Sequence, residues 1–255
     1  MSAAAGNSAG RDLRRVRYER RGAAALITID RPERHNAVDG DTAKQLLEAF
    51  NRFSTDDDAA VLVLTGAGDK AFCAGADLKA IETLDPDAPG GPLGFTRLFS
   101  PKPTIAAISG HCLAGGLELA LWCDLRVATT NASFGCTERR WGVPLIDGGT
   151  QRLPRVIGTG RALDLVLTGR TIQAPEAKSM GLITEIVGPG AHVIRALQLA
   201  EEIATHPRAT TNSDRRALLE GETLPLDQGL ALEADLGRTQ LTTAQEGARR
   251  FAQRK

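Results

Sequence analysis

The chain has 255 residues, of which 42% are hydrophobic and 24% charged, and its 31 Lys plus Arg balance 31 Asp plus Glu. That is enough chain for one large domain with a substantial core, and it excludes disordered, collagen-like and disulfide-scaffold classes. A formal charge of zero removes any general attraction for phosphate backbones or anionic lipid, so neither nucleic acid nor a membrane is an expected partner. No apolar run approaches the ~18–20 residues of a membrane helix. Met1–Arg17 lacks the apolar middle of a secretory signal, and residues 1–10 read as a disordered start. Cys73, Cys112, Cys123 and Cys136 form no C-x-x-C pair and match no zinc spacing. A reduced, cytoplasmic compartment and no metal site are expected.

In chain order, Leu26–Ile29 is a short apolar run with strand punctuation on either side. Asp39–Phe53 follows as an amphipathic helix with Leu46, Leu47, Phe50 and Phe53 at helical spacing, and Thr42 with Gln45 as its capping box. Val61–Leu64 is a second buried strand. Asp85–Gly94, rich in Pro and Gly, is expected to be an irregular surface loop. Ile105–Ile108 and Leu125–Ala128 are further buried strands flanking an apolar helix at Gly116–Trp122, and Ala132–Gly135 is a small strand-like piece. Strands alternating with helices predict an α/β architecture with a mostly parallel sheet. Ala174-Pro175-Glu176 starts a helix that Gly181 ends. His192–His206 is amphipathic, and Asp227–Arg254 is largely helical with Asp227 as its N-cap. The chain therefore divides into a core over residues 11–190 and a helical region over 191–255, too poor in apolar residues to fold alone.

Three segments carry candidate chemistry. In Gly110–Asp124 a glycine turn runs into the apolar helix that contains Glu118. A carboxylate there either lies on a solvent stripe or faces a cavity with a shifted pKa. The tandem Gly115-Gly116 offers N–H groups that no helical carbonyl satisfies, suited to an anion or a polarised carbonyl. After Val61–Leu64, the residues Gly66, Gly68 and Ala71 fit a loose dinucleotide fingerprint, the basis of a redox alternative. Ala74–Asp77 reads better as a helix-start nest of N–H groups, with Asp77 near the positive end of the dipole. In Asn131–Gln151, Glu138 precedes a Gly/Pro loop and Asp147 precedes Gly148-Gly149.

Taken together, K-A-F-C-A-G-A-D-L-K at 70–79, G-H-C-L-A-G-G-L-E-L-A-x-x-C-D at 110–124, F-G-x-x-E ending at Glu138 and G-G-T-Q-R-L-P-R at 148–155 resemble the enoyl-CoA hydratase/isomerase (crotonase) superfamily. R-P-E-R-H-N-A at Arg31–Ala37 and E-G-A-R-R-F-A-Q-R near the end are similar to that family too. The resemblance implies a crotonase-like spiral of ββα units with a C-terminal helical trimerisation region, hence a homotrimer or dimer of trimers. It implies an oxyanion hole from the backbone N–H groups of Ala76 and Gly115, holding the thioester oxygen of an acyl-CoA. It also implies that Glu118 and Glu138 add water to a trans-2-enoyl-CoA, Glu118 deprotonating the water and Glu138 protonating Cα. No cofactor is implied beyond the coenzyme A of the substrate.

The same resemblance places substrate and CoA contacts at Arg34, Ala37, Val38, Ala74, Asp77, Leu78 and Gly116, with Phe251 and Arg254 reaching in from a neighbouring subunit. The loop Asp85–Gly94 and Phe95–Phe99 would line the acyl pocket, Trp141 would cap the acyl end, and His111 would serve local packing. One departure is visible. Hydratases of the family usually carry a glycine eight residues after the second glutamate, where this chain has Ile146 followed by Asp147. Related isomerases carry an aspartate near this point. The implied alternatives are thus a double-bond isomerase using Glu138 and Asp147, or a non-catalytic acyl-CoA-binding scaffold.

Overall fold

The structure, a computed structural model, describes residues 14–253, so the expected disordered start at residues 1–10 lies outside the described residues. Strands β1 (Val16–Arg21) and β2 (Ala24–Ile29) pair antiparallel across a turn at Gly22. Helix α1 (Gly40–Thr55) follows. Strands β3 (Val61–Gly66), β4 (Ala71–Cys73), β5 (Thr104–Ile108) and β6 (His111–Leu113) lead into α2 (Gly115–Trp122). Then come β7 (Leu125–Thr129), β8 (Ser133–Gly135), α3 (Gly149–Ile157), α4 (Thr159–Thr168), β9 (Thr171–Gln173), α5 (Ala174–Ser179) and β10 (Glu185–Val187). Four helices close the chain: α6 (His192–Ala204), α7 (Arg208–Gly221), α8 (Leu226–Arg238) and α9 (Leu241–Ala252).

The strands sort into two sheets in a regular way. The main sheet runs β1-β2-β3-β5-β7-β10 and the smaller one β4-β6-β8-β9. Each long strand β3, β5 and β7 is followed within a few residues by a short strand in the other sheet, so the chain advances as a spiral of ββ steps. Within the main sheet every pair from β2 onward is parallel. The central strands β2, β3 and β5 read as apolar runs, buried throughout, because both of their faces are covered. Ile27, Leu62, Leu64, Ala106 and Ile108 face the larger core with α1 and α2. Their neighbours Leu26, Val61, Val63, Ile105 and Ala107 face Ala196 and Ala200 of α6.

Several expectations are corrected. The cap of α1 is Asp39, whose side chain accepts from Thr42 N at 3.0 Å, and not a Thr42–Gln45 box. Gln45 instead accepts from the backbone N–H of Arg15 at 2.8 Å and of Val16 at 3.1 Å, tying the helix to the edge strand. Helix α8 begins one residue before Asp227, at Leu226, with Pro225 in the cap position, and the largely helical stretch is two helices joined at Thr239-Gln240. The loop Asp85–Gly94 is only half a surface loop, since Gly90–Gly94 are buried. Phe95 does not face a pocket. It stacks on Phe50 at 5.4 Å between ring centroids and meets Trp122 edge-on at 4.6 Å, inside the core. Among the described residues no helix is long and apolar enough to cross a membrane.

Candidate active site

The spiral brings the three candidate segments together. Strands β4, β6 and β8 lie side by side and parallel, with β6 in the middle. The residue three past the end of β4 is Ala76, two past β6 is Gly115, and three past β8 is Glu138. All therefore leave the carboxyl ends of three adjacent parallel strands, the usual place for a ligand on such strands. Ala76, Gly115, Glu118, Glu138 and Asp147 line a single cavity of about 300 Å³, together with Ala74, Leu78 and an apolar wall from Ile81 to Leu93.

The turn Ala74–Asp77 is built by the segment Arg31–Val38. Ala74 N–H donates to His35 O at 3.1 Å, Val38 N–H to Gly75 O at 2.8 Å, and Asp77 N–H to Val38 O at 2.8 Å. The Asn36 side-chain amide donates to Ala71 O at 2.7 Å and to Ala67 O at 3.0 Å. Buried Arg31 joins Asp39 at 2.9 Å and Asp77 at 3.0 Å. The Asp77 carboxylate is thereby a structural anion, and no α-helix follows it, so the expected helix-start nest is a turn held by ion pairs and backbone bonds. The glycines Gly66 and Gly68 lead into strand β4 and not into a helix, which removes the geometry a dinucleotide phosphate requires.

Gly75 sits at φ 93°, and a Cβ there would lie 2.8 Å from Gly115 N. The turn and the start of α2 are thus in backbone contact, an approach that only glycine permits. Among the described residues neither Ala76 N–H nor Gly115 N–H donates a hydrogen bond, and both residues line the same cavity. Ala114, just before Gly115, holds φ 53° and ψ −127°, a strained conformation for a residue with a side chain. A Cβ on Gly116 would collide with Cys73 O, so Gly116 serves close packing of α2 against β4. The other end of α2 is capped by buried Arg126, which donates to Cys123 O at 2.6 Å and to Leu182 O at 2.6 Å.

Every residue of α2 is buried, Glu118 at 3% exposure, which resolves its two sequence readings in favour of the cavity. Its Oε1 accepts from Asp147 N at 2.9 Å and Gly149 N at 2.7 Å. A Cβ on Gly149 would meet Glu118 Oε1 at 2.9 Å, so the tandem Gly148-Gly149 is what lets this loop close on the carboxyl. Burial pushes Glu118 up to about 7 despite those two donors, and the neighbouring Asp147 and Glu138 charges add to the rise. Glu138 stands in a 3-10 turn, Thr137–Trp141, and is buried with no hydrogen-bond partner for either carboxyl oxygen among the described residues. Burial raises its pKa as well. Asp147 is also raised by burial, and its Oδ1 accepts from Leu93 N at 3.1 Å and from the Thr96 hydroxyl. Asp147 therefore ties the loop at 93–96 to the loop that holds Glu118.

A carboxyl raised from 4.5 to about 7 on folding keeps a proton that the unfolded chain releases between those values. Stability is then full below about 4.5 and falls as pH rises through 7. Glu118→Gln removes this loss. Its melting temperature should exceed the parent's increasingly from pH 5 to pH 8, by several degrees, for about 2–3 kcal/mol. Thermal melts of both proteins across that range check it, and a constant difference would contradict the raised pKa.

The other expected contacts are distributed unevenly. Ala37 and Val38 are buried, and both backbone polar groups of Val38 are spent on Gly75 and Asp77. Arg34 is exposed on the 3-10 turn Pro32–Arg34. Phe251 is 79% exposed on α9 and does not line the cavity of its own chain, and Arg254 lies outside the described residues. The expected Phe95–Phe99 lining is corrected: the wall is built from Ile81, Leu84, Pro86, Pro92 and Leu93, with Val143 and Pro144 opposite. The Pro/Gly run that signals an irregular loop was the available clue, but nothing local says which of its residues turn inward. His111 Nδ1 meets Ser133 Oγ at 2.9 Å, a local contact outside the cavity. Among the described residues no cluster of His, Cys, Asp and Glu suits a metal ion.

A two-sheet spiral with its cavity at the ends of the short strands is the crotonase class of fold. Residues 19–255 match the enoyl-CoA hydratase/isomerase family, and the chain belongs to that family. It is 36% identical over 230 residues to a short-chain-enoyl-CoA hydratase of Clostridium acetobutylicum, covering 88% of each chain. It is 39% identical to an (E)-benzylidenesuccinyl-CoA hydratase of Thauera aromatica, over 81% of this chain and 82% of that one. The crystal structure of an enoyl-CoA hydratase of Mycobacterium marinum superimposes with a TM-score of 0.90 at 36% identity, covering 94% of this chain and 96% of the other.

Proposed function

We propose that the protein is an enoyl-CoA hydratase, a hydro-lyase adding water across the double bond of a trans-2-enoyl-CoA. The observation that carries this reading is the pairing of two unspent N–H donors, on Ala76 and Gly115, with two buried carboxyls in one cavity. The thioester oxygen accepts from both N–H groups, which stabilise the negative charge that develops as Cβ is attacked. Glu118 takes a proton from water while the water oxygen bonds to Cβ, and Glu138 delivers a proton to Cα. One water is consumed. Exchange with solvent then returns the proton from Glu118 to Glu138.

The division of labour follows from the hydrogen bonds. Donors aimed at a carboxyl favour its charged form; Glu118 accepts from two N–H groups of a neighbouring loop, whereas among the described residues Glu138 has only the pull of its own backbone N–H. Protons in such a coupled, dry pair belong to the pair; in this reading the reacting form carries Glu118 ionised, as a carboxyl raised only to about 7 allows near neutral pH, and Glu138 protonated. The relatives named as hydratases support hydration as the reaction. The isomerase alternative draws on Asp147, whose Oδ1 is already engaged by Leu93 and Thr96, so we assign it a positioning role.

In this reading the reaction needs no cofactor, and the protein works in the cytoplasm on a soluble thioester. Exposed Leu218, Leu226, Leu230, Leu241 and Phe251 on α7–α9 suit burial in a homotrimer or dimer of trimers, with Phe251 then reaching a neighbour's CoA. The test is the ultraviolet absorbance of conjugated trans-2-enoyl-CoA thioesters mixed with the protein. Loss of absorbance with formation of the 3-hydroxyacyl thioester is expected, and no loss at any chain length would refute the reading.

A further inference from the structure

Building on the enoyl-CoA reading, we propose that the acyl group taken here is uncharged, apolar and longer than four carbons, its far end resting on the indole of Trp141. Residues three apart on a 3-10 turn point the same way, so Glu138 and Trp141 share one face of Thr137–Trp141, and both line the cavity. Trp141 is 73% exposed, a large amphipathic ring left open at a cavity mouth. Leu78 and Ile81, also lining, are exposed to 44% and 42%. An apolar surface of this kind next to acid–base groups has more to cover than a short chain supplies. In crotonyl-CoA a single carbon lies beyond the reacting Cβ, which leaves the outer wall of Leu84, Pro86 and Trp141 in water. A longer chain continues onto it, and each added methylene is removed from solvent.

Charge excludes the other class of acyl group. Among the described residues the cavity is lined by three carboxyls, Glu118, Glu138 and Asp147, and by no Lys, Arg or His. Nearby arginines point to backbone carbonyls: Arg97 donates to Ile146 O at 3.1 Å, Arg152 to Asp147 O at 2.9 Å and Thr96 O at 2.6 Å, Arg139 to Val166 O at 3.4 Å and Arg140 to Gly169 O at 2.9 Å. A second carboxylate on the acyl chain would enter without a counterion, beside like charge.

The experiment compares crotonyl-CoA, trans-2-octenoyl-CoA and the carboxylated glutaconyl-CoA as substrates for the parent and for Trp141→Ala. In the parent, kcat/KM for octenoyl-CoA should exceed that for crotonyl-CoA about 10-fold or more, and glutaconyl-CoA should be the poorest. Trp141→Ala should lower the octenoyl-to-crotonyl ratio about 10-fold. A parent that prefers crotonyl-CoA, accepts glutaconyl-CoA equally well, or keeps its ratio in the variant overturns the proposal. A second readout does not depend on turnover. The chain has two tryptophans, Trp122 being buried, so saturated octanoyl-CoA should blue-shift the emission of Trp141 and butyryl-CoA should not. Emission that ignores octanoyl-CoA refutes the indole contact. Absence of hydration together with the octanoyl shift would instead refute the reaction and leave the binding site standing.

Discussion

Glu138→Gln is expected to lower kcat for enoyl-CoA hydration about 10²–10⁴-fold, the range for removing one positioned general acid or base. The two side chains are isosteric, and among the described residues neither oxygen of Glu138 bonds to another residue, so no contact between residues is lost with the proton. Melting temperature should therefore hold or rise slightly, because the buried group no longer ionises. Glu118→Gln should show a loss of similar size. The double variant should fall little further, since residues that act on one proton-transfer sequence do not contribute additively. Decay of thioester absorbance under saturating substrate measures all three. A Glu138→Gln enzyme within a few-fold of the parent would remove Glu138 from the reaction.

Gly75→Ala probes the backbone donors, which no side-chain deletion reaches. The new methyl would be placed 2.8 Å from Gly115 N and 3.0 Å from Ala114 Cβ, at a residue with φ 93°. The turn must move away from α2, parting Ala76 N–H from Gly115 N–H. Loss of one oxyanion donor costs about 10²–10³ in kcat, and that is the loss expected, with the positive φ adding destabilisation. Gly68→Ala separates the two effects. It carries comparable backbone strain at φ 79°, but its Cβ would meet only Pro32, at 3.9 Å, away from the cavity. Both variants should melt lower, and only Gly75→Ala should lose turnover when assayed well below its transition. Equal activities in the two would mean that the spacing of these N–H groups is not used in the reaction.

The amphipathic helices and the four long buried strands were legible because burial on both faces writes an apolar run and burial on one face writes a 3.6-residue period. The short strands β4, β6 and β9 were not, since three residues carry too little pattern. Strand β1, V-R-Y-E-R-R, hid behind charge as an edge strand exposed along one side. Cap chemistry misled where two candidates lay close together. Asp39 and Thr42 are both capping types, and the choice fell to Asp39 because Gln45 is drawn to the backbone of Arg15 and Val16.

For the site, residue types and motif order alone settled the family and singled out Glu118, Glu138, Ala76 and Gly115, because close backbone approach demands glycine at set offsets and acid–base work demands carboxyls in apolar surroundings. Only the tertiary structure decided what those carboxyls experience. It showed that Glu118 is buried and held by the N–H groups of Asp147 and Gly149, and that Glu138 is left without a partner. It also showed that Asp77 pairs with Arg31 and that Asp147, while lining the cavity, accepts from Leu93 N–H. Those outcomes depend on residues about thirty to fifty positions apart meeting across the spiral. A one-dimensional pattern records which groups are available, but desolvation and hydrogen-bond direction exist only once the chain has closed around them.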